Sequence, residues 1–102
     1  MYRARDQLDN EEWLARIDRA ADALELGSQS RSYATDLFLS HVPDQERSKP
    51  AVAAASLYAG ALIAGEERSQ SAVAERMDVT RLSIQSRWKE ILRDAGFEPP
   101  SW

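Results

Sequence analysis

The stretch AVAAASLYAGALIAG, residues 51–65, restricts the possible folds of this chain more than any other feature. It is apolar on nearly every side, so it cannot be a surface helix with one face in water. Its fifteen residues are also fewer than the roughly 20 that a membrane-spanning helix needs. Alanine side chains let neighbouring backbones approach closely. We therefore predict a central helix that other helices surround.

Four more helices are predicted from apolar residues that recur at helical spacing, two before the central helix and two after it. No segment shows the pattern of a strand, so the predicted fold is all-α with five helices. The apolar positions of the four outer helices are Trp13, Ile17, Ala20, Ala21 and Leu24; Ala34, Leu37, Phe38 and His41; Val73, Ala74 and Met77; and Ile84, Trp88, Ile91 and Leu92.

The helix ends are predicted from glycine, proline and small polar residues. Gly27, Gly65 and Gly96 can each supply the left-handed residue that closes a helix, and Pro43 stops the second helix. Small polar residues can accept a hydrogen bond from the first turn of a helix. In chain order, the candidate N-terminal caps are Asp9, Ser28 or Ser30, Ser48, Ser69 and Thr80.

The chain of 102 residues suits one domain. We expect a flexible arm at 1–8, a single domain at 9–95 whose residues 70–94 form a helix-turn-helix, and a tail at 96–102. No apolar run could span a membrane, and the first residues lack the apolar segment of a signal peptide. A cytoplasmic protein with no membrane partner is therefore expected.

The composition argues against an enzyme. The absence of cysteine excludes disulfides and thiolate metal sites. His41 is the only histidine, and no partner for a metal site or a catalytic triad is evident. The four glycines are not clustered, so no glycine-rich loop can cradle a phosphate. We predict no metal ion, no cofactor and no catalytic residue.

Charge is distributed unevenly along the chain. The net charge is -4, yet residues 81–93 contain four Lys or Arg residues and a single acidic one, Glu90. Such a basic cluster is either a solvated helix face or a surface that meets phosphates. Both interpretations remain open from the charges alone.

Residues 70–94 have the features of a helix-turn-helix. Ala74 is small where the two helices approach, Asp78 tolerates a left-handed turn, and the apolar Val79 fills the corner. If Ile84 and Trp88 face inward, the polar side of the last helix faces outward. The outward residues are Arg81, Leu82, Ser83, Gln85, Ser86, Arg87 and Lys89.

These outward residues are our candidate DNA-binding residues, because the N-terminal part of such a helix docks in the major groove. Gln85 can pair with adenine, serines can contact several bases, and Leu82 can pack on a thymine methyl group. Arg81, Arg87 and Lys89 would mostly meet phosphates. Many helical domains contain similar corners for packing alone, so the corner by itself leaves both meanings open.

A wider resemblance adds to these observations. The segment RSKPAVAAASLYAGA resembles the signature of a cyclin-like repeat in the transcription factor IIB family, called TFB in archaea. VAERMDVTRLSIQSRWKEI is similar to the VAExxGVTxxTIRxRYKEL-like ending of that repeat, and AADALELGSQSRSYATDLF resembles its first two helices. Glu46 stands where the family has glycine. The matching positions in the signature are Arg47, Ala51, Ala53, Ala54, Ala55, Leu57, Tyr58 and Ala59.

The resemblance, which covers residues 14–94, implies a five-helix cyclin-like fold with a central alanine-rich helix and a C-terminal helix-turn-helix. In the family, the C-terminal repeat reads a promoter element beside the TATA box, and the repeats grip the TATA-binding protein and bent DNA. The base-reading positions fall on Leu82 and Gln85, where the family commonly has Val and Arg. An archaeal, nucleoid-associated protein that binds promoter DNA is therefore expected.

Two departures modify this expectation. The chain has no cysteine for the family's zinc ribbon and room for only one repeat, so we expect a specialised or regulatory factor. The alternative is a protein-interaction module that binds the TATA-binding protein, or another transcription factor, without reading DNA. The net negative charge favours this alternative, because it opposes the binding of an isolated domain to DNA.

Overall fold

The computed structural model describes residues 10–101, and this range is all-helical. The predicted five-helix all-α fold is confirmed, although the fifth helix is interrupted. The arm at 1–8, the Asp9 cap and Trp102 lie outside the described residues. The α-helices are α1 (Glu11–Ala23), α2 (Ser28–Ser40), α3 (Lys49–Ile63), α4 (Gln70–Met77), α5 (Arg81–Gln85) and α6 (Trp88–Asp94), and a 3-10 turn at Glu46–Ser48 precedes α3.

Helix α3 lies at the centre of the domain, as its composition predicts. Every residue from 52 to 61 is buried, and all of the other α-helices contact this helix. Pro50 lies in its first turn, where the missing amide hydrogen costs no hydrogen bond. Over the range that the structure describes, no helix is long and apolar enough to cross a membrane.

The closest approach in the core is between α2 and α3, at Gly60. A Cβ atom on Gly60 would lie 2.7 Å from the backbone nitrogen of Ala34 and 3.0 Å from the carbonyl oxygen of Ser30. Both of these atoms belong to the backbone, so neither can swing aside. The two helices therefore pack with their backbones almost in contact.

Four helices end in a residue with left-handed backbone conformation: Glu25, Gly65, Asp78 and Gly96. After each one, the next amide donates a hydrogen bond to the carbonyl five residues earlier; for α1, the amide of Leu26 donates to Ala21 at 2.9 Å. This pattern is the Schellman motif. The prediction that Gly27 closes α1 is wrong, because Gly27 is extended (φ -81°, ψ -177°). The turn must come at Glu25, because Leu26 then folds into the core, where it is 3% exposed.

The connection between α3 and α4 supports the ends of two earlier helices. The Glu66 carboxylate accepts hydrogen bonds from the Gly27 amide at 2.9 Å and from the Ser30 hydroxyl at 2.6 Å. The Arg68 guanidinium donates to the carbonyls of Leu24 at 3.0 Å and Glu25 at 3.3 Å. We call these two side chains, Glu66 and Arg68, the clasp.

Two predicted caps are wrong, and the clasp explains the one at α2. Helix α2 has no side-chain cap of its own; its N-terminus is served by Glu66 from a distant loop, and Ser30 donates to that carboxylate. Ser48 makes no capping bond at α3 either. The predicted caps Ser69 and Thr80 are confirmed, since their hydroxyls accept from the amides of Ala72 and Ser83.

Candidate nucleic-acid interface

The corner between α4 and α5 has the local geometry that its sequence predicts. Asp78 adopts a left-handed conformation with φ 58° and ψ 45°. The Val79 amide donates to the carbonyl of Ala74 at 3.0 Å, which closes α4 and turns the chain. Thr80 then starts α5 by accepting a hydrogen bond from the amide of Ser83 at 3.3 Å.

Buried side chains hold this corner on the rest of the domain. Ile84 in α5 and Trp88 in α6 are completely buried. The ring of Trp88 packs edge-on against Tyr58 of the central helix, with 5.3 Å between the ring centroids. Ala74 is also buried, on the side of α4 that faces the core. The opposite side of α5 is consequently left at the surface.

The predicted DNA-binding residues differ in their exposure. Arg81, Leu82, Gln85 and Ser86 are exposed, while Ser83, Arg87 and Lys89 are half-buried. Leu82 is 72% exposed, whereas Ile84 of the same helix is fully buried. We call the exposed set, Arg81, Leu82, Gln85 and Ser86, the recognition surface.

The predicted fifth helix is interrupted between Gln85 and Trp88. The Ser86 hydroxyl donates to the carbonyl of Leu82 at 3.0 Å, and the Arg87 guanidinium lies 3.4 Å from the carbonyl of Ser83. Side chains that occupy carbonyls of the same helix compete with the regular backbone ladder and bend it. The backbone departs from helical geometry at Arg87 (φ -127°), so α5 and α6 are separate segments.

The interruption separates the basic residues predicted to meet phosphates. Arg81 is exposed at the start of α5. The Arg87 guanidinium instead folds back onto α5 and donates to the Ser86 hydroxyl at 3.3 Å. The Lys89 ammonium lies over the Trp88 ring, 5.5 Å from its centroid, in the arrangement of a cation–π contact. The phosphate contacts assigned to Arg87 and Lys89 remain predictions.

Comparison with known proteins identifies the domain. The family model of the transcription factor TFIIB repeat matches residues 9–94. The chain belongs to this family. The match takes in all six helices that the structure describes, including the corner and the recognition surface.

Similar archaeal proteins support the same assignment. The chain is 30% identical over 87 residues to transcription initiation factor IIB 2 of Thermococcus kodakarensis. This alignment covers 82% of this chain and 28% of that protein. It is 42% identical over 52 residues to transcription initiation factor IIB of Archaeoglobus fulgidus, covering 51% of this chain and 16% of the relative. It is 52% identical over 40 residues to transcription initiation factor IIB 1 of Thermoplasma volcanium, covering 39% of this chain and 13% of that protein. This TFIIB repeat thus spans less than a third of these relatives.

Glu46, which replaces the family's glycine, has contacts of its own in this TFIIB repeat. Its carboxylate accepts from the indole nitrogen of Trp13 at 3.4 Å and pairs with the Lys49 ammonium at 3.0 Å. The hydrogen bond from Lys49, and then the one from Trp13, lower the pKa of Glu46 below its ordinary value. The substitution therefore joins α1 to the turn before α3.

Sequence reasoning missed a second basic feature beside the corner. Arg16 and Arg19 of α1 and Arg76 of α4 line an open cleft of about 430 Å³ whose floor includes Ala20 and Met77. Arg76 is far from Arg16 and Arg19 in the sequence, so only the folded chain brings the three together. In the part of the chain that the structure describes, no cluster of His, Asp or Glu residues could hold a metal ion.

Proposed function

We propose that this TFIIB repeat binds promoter-type duplex DNA by placing the N-terminal part of α5 in the major groove. One observation carries the proposal: Leu82 is 72% exposed while its neighbour Ile84 is completely buried. The corner thus presents an apolar side chain to solvent on the face where a helix-turn-helix meets DNA. The family resemblance supports the same face, because its base-reading positions fall on Leu82 and Gln85.

Each exposed residue has a role that its chemistry supports. The Gln85 amide can donate to and accept from one edge of adenine, and Leu82 can pack on a thymine methyl group. Arg81 is suited to a backbone phosphate on the edge of the groove. Ser86 already donates its hydroxyl hydrogen to Leu82 and accepts a hydrogen bond from Arg87, so one lone pair of its oxygen is left to accept from a base amino group.

Binding by this acidic domain is expected to depend strongly on salt. With about three or four phosphate contacts, the logarithm of the binding constant should fall with a slope of roughly -3 against the logarithm of salt concentration. The net charge of -4 opposes association at long range. We infer that a partner such as the TATA-binding protein contributes to the affinity on a promoter.

The test is fluorescence anisotropy with a labelled duplex that carries a TATA element and its upstream flank, with and without an archaeal TATA-binding protein. Leu82→Ala/Gln85→Ala should bind this duplex about as weakly as a scrambled one, a loss of roughly 1–3 kcal/mol for each lost base contact. Gln29→Ala, an exposed glutamine of α2, is the matched control and should bind like the wild type. Unchanged discrimination in the double variant contradicts the proposed readout.

A protein-interaction module is the second candidate function. Besides Leu82, Tyr33 and Phe97 are exposed, at 38% and 41%; they contact each other edge to face with 6.5 Å between their ring centroids. Exposed aromatic residues are common where proteins associate. Capture of the TATA-binding protein without DNA, undiminished in Leu82→Ala/Gln85→Ala, would favour this second function over DNA readout.

A further inference from the structure

The cleft between α1 and α4 carries an inference that rests on the proposed function. Three arginines, Arg16, Arg19 and Arg76, converge on an open depression with a floor of small and apolar side chains. Arg16 is already engaged: it pairs with Glu12 at 3.3 Å, and its guanidinium lies over the Trp13 ring, 4.5 Å from the centroid. Arg19 and Arg76 are the cations left to meet an external group.

The acids nearest to Arg19 along α1 are occupied elsewhere. Asp18 and Asp22 pair with Arg31 of α2, at 2.9 Å and 2.6 Å. Hydrogen bonds from these two carboxylates, Asp22 first, raise the pKa of Arg31 above its ordinary value. The acidic side of α1 is thereby joined to α2. Arg19 has no ion pair with any residue that the structure describes.

Arg76 also lacks an acidic partner at helical spacing. The residues three and four positions before it are Val73 and Ala72, and those after it are Val79 and Thr80. Its position in the last turn of α4 suits a cation, because the C-terminal end of a helix is partially negative. Asp78 is the one acidic residue on the wall of the cleft, so positive charge exceeds negative charge there.

The cleft adjoins the turn that leads into the recognition surface. Asp78, on its wall, is the turn residue that leads through Thr80 into α5. Five residues of fully extended chain span at most about 17 Å, so Arg76 lies within that distance of Arg81. The major groove is about 12 Å wide between its two phosphate strands. The DNA strand that borders the major groove occupied by α5 can therefore reach the cleft.

From this arrangement we propose that Arg19 and Arg76 clamp a backbone phosphate of the same duplex that α5 reads. The clamp adds affinity and fixes the orientation of the domain, and it carries no base preference. The small side chains of Ala20 and Ala23 leave room for the sugar-phosphate chain between the arginines. Arg16 stays with Glu12 and Trp13 and forms one side of the cleft.

The first test measures how duplex binding depends on salt for the full chain. Each phosphate contact contributes about 0.9 to the slope, so loss of this one phosphate in the double variant Arg19→Ala/Arg76→Ala should reduce its magnitude by about 1, and each single variant should reduce it by no more than that. Base preference should stay that of the wild type in all three variants. Arg47→Ala, which removes an exposed arginine outside the cleft, is the matched control and should keep the wild-type slope.

The second test does not depend on affinity. The chain has no cysteine, so Ala23→Cys, on the cleft wall, gives a single attachment point for an iron–EDTA reagent that cuts nearby DNA backbone. Gln29→Cys is the control, because Gln29 is exposed on α2 and does not line the cleft. Labelled Ala23→Cys should cut one strand at the edge of the bound site, and labelled Gln29→Cys should not.

The outcomes separate this inference from the function on which it rests. If the wild type binds the duplex and the double variant keeps its slope, or if the Ala23 label leaves the DNA uncut, the clamp is overturned while DNA binding stands. If the wild type binds no duplex, both proposals fail. If the double variant no longer captures the TATA-binding protein in the absence of DNA, while its salt slope is unchanged, the cleft binds an acidic protein surface instead. That outcome would overturn the clamp.

Discussion

Gln85 offers a direct test of base readout at the scale of one side chain. It is exposed on α5 at a position where the family commonly has arginine. A glutamine amide pairs with adenine, whereas an arginine guanidinium pairs with the O6 and N7 atoms of guanine. The identity of this one residue should therefore set the base that the domain prefers at one position of its site.

We expect Gln85→Arg to change the preferred base at that position from adenine to guanine, by roughly 1–3 kcal/mol in discrimination. Selection from a duplex library with randomised flanks measures the preference. Gln29→Arg adds the same charge on α2 and should strengthen binding to all sequences equally. An identical preference in wild type and Gln85→Arg would show that residue 85 does not read a base.

Glu66 provides a residue-scale prediction about stability and pH. Hydrogen bonds from Ser30, and then from the Gly27 amide, lower its pKa below the ordinary value of 4.5. A carboxyl group whose pKa is lowered in the folded state stabilises the fold above its unfolded pKa, and this contribution is lost as the pH falls through the folded pKa. The loss is thus confined to pH values below about 4.5.

Glu66→Gln should lower the urea midpoint at pH 7, and its difference from wild type should shrink as the pH is lowered from 5 to 3. Glu67→Gln removes the same charge from an exposed neighbour and serves as the control, with little effect at any pH. A difference for Glu66→Gln that is constant from pH 7 to pH 3 would contradict a role for the ionised carboxylate.

At the scale of helices, the sequence predicted the elements better than their ends. Apolar spacing located the four outer helices, because each one buries a stripe of side chains against α3, and the all-round apolar sequence located α3 itself. The ends of α1 and α2 were missed because Glu66 and Arg68, which serve them, are about 40 residues away. The interruption at Arg87 was missed because it arises from side chains that compete for backbone carbonyls. This competition does not change the apolar spacing from which the helix was predicted.

Gly60→Ala tests the close approach of α2 and α3. Alanine in a helix interior is ordinarily more stable than glycine by about 0.5–1 kcal/mol. Here its Cβ would meet backbone atoms of α2 at 2.7 to 3.0 Å, and overpacking of this kind costs about 1–3 kcal/mol. We therefore expect Gly60→Ala to lower the free energy of unfolding in urea.

Ala15→Gly, at an exposed position of α1, is the control. It measures the difference in helix propensity between alanine and glycine without a packing contact. It should destabilise the domain by the propensity alone, about 0.5–1 kcal/mol. A Gly60→Ala variant at least as stable as the wild type would contradict the close packing of α2 on α3.

At the scale of the whole molecule, one apolar core contains buried residues from every α-helix. Trp13 and Trp88 lie in the first and last helices of this core. Unfolding should therefore be a single cooperative transition. In a Trp102→Phe background, tryptophan fluorescence and far-UV circular dichroism should give the same urea midpoint. In that background Trp13→Phe leaves Trp88 as the single tryptophan, and this variant should do so too.

Separate midpoints for fluorescence and circular dichroism would contradict this single transition. They would mean that α1 and α2 can leave the core while the corner stays folded. The same experiment on Trp88→Phe reports from the other end of the chain, so the two variants together locate any part that unfolds first.

The whole molecule also explains which parts of the candidate site could be predicted. The recognition surface lies in one segment of fewer than ten residues, so local spacing was sufficient to find Leu82 and Gln85. The cleft joins Arg19 to Arg76, and only the packing of α1 beside α4 brings them to one surface. The competing contacts of Arg87 and Lys89 likewise depend on side-chain directions that a linear pattern does not contain.

The clasp has a consequence for how the chain can be altered. Because Glu66 and Arg68 secure the junction of α1 and α2, the connection between α3 and α4 contributes to the stability of the domain. A peptide tag inserted there, or a protease cut beside Gly65, would displace Glu66 and Arg68 from the junction of α1 and α2 and would destabilise the domain although no buried side chain had been changed. Circular permutants and split reporters built from this domain should therefore be opened between α2 and α3.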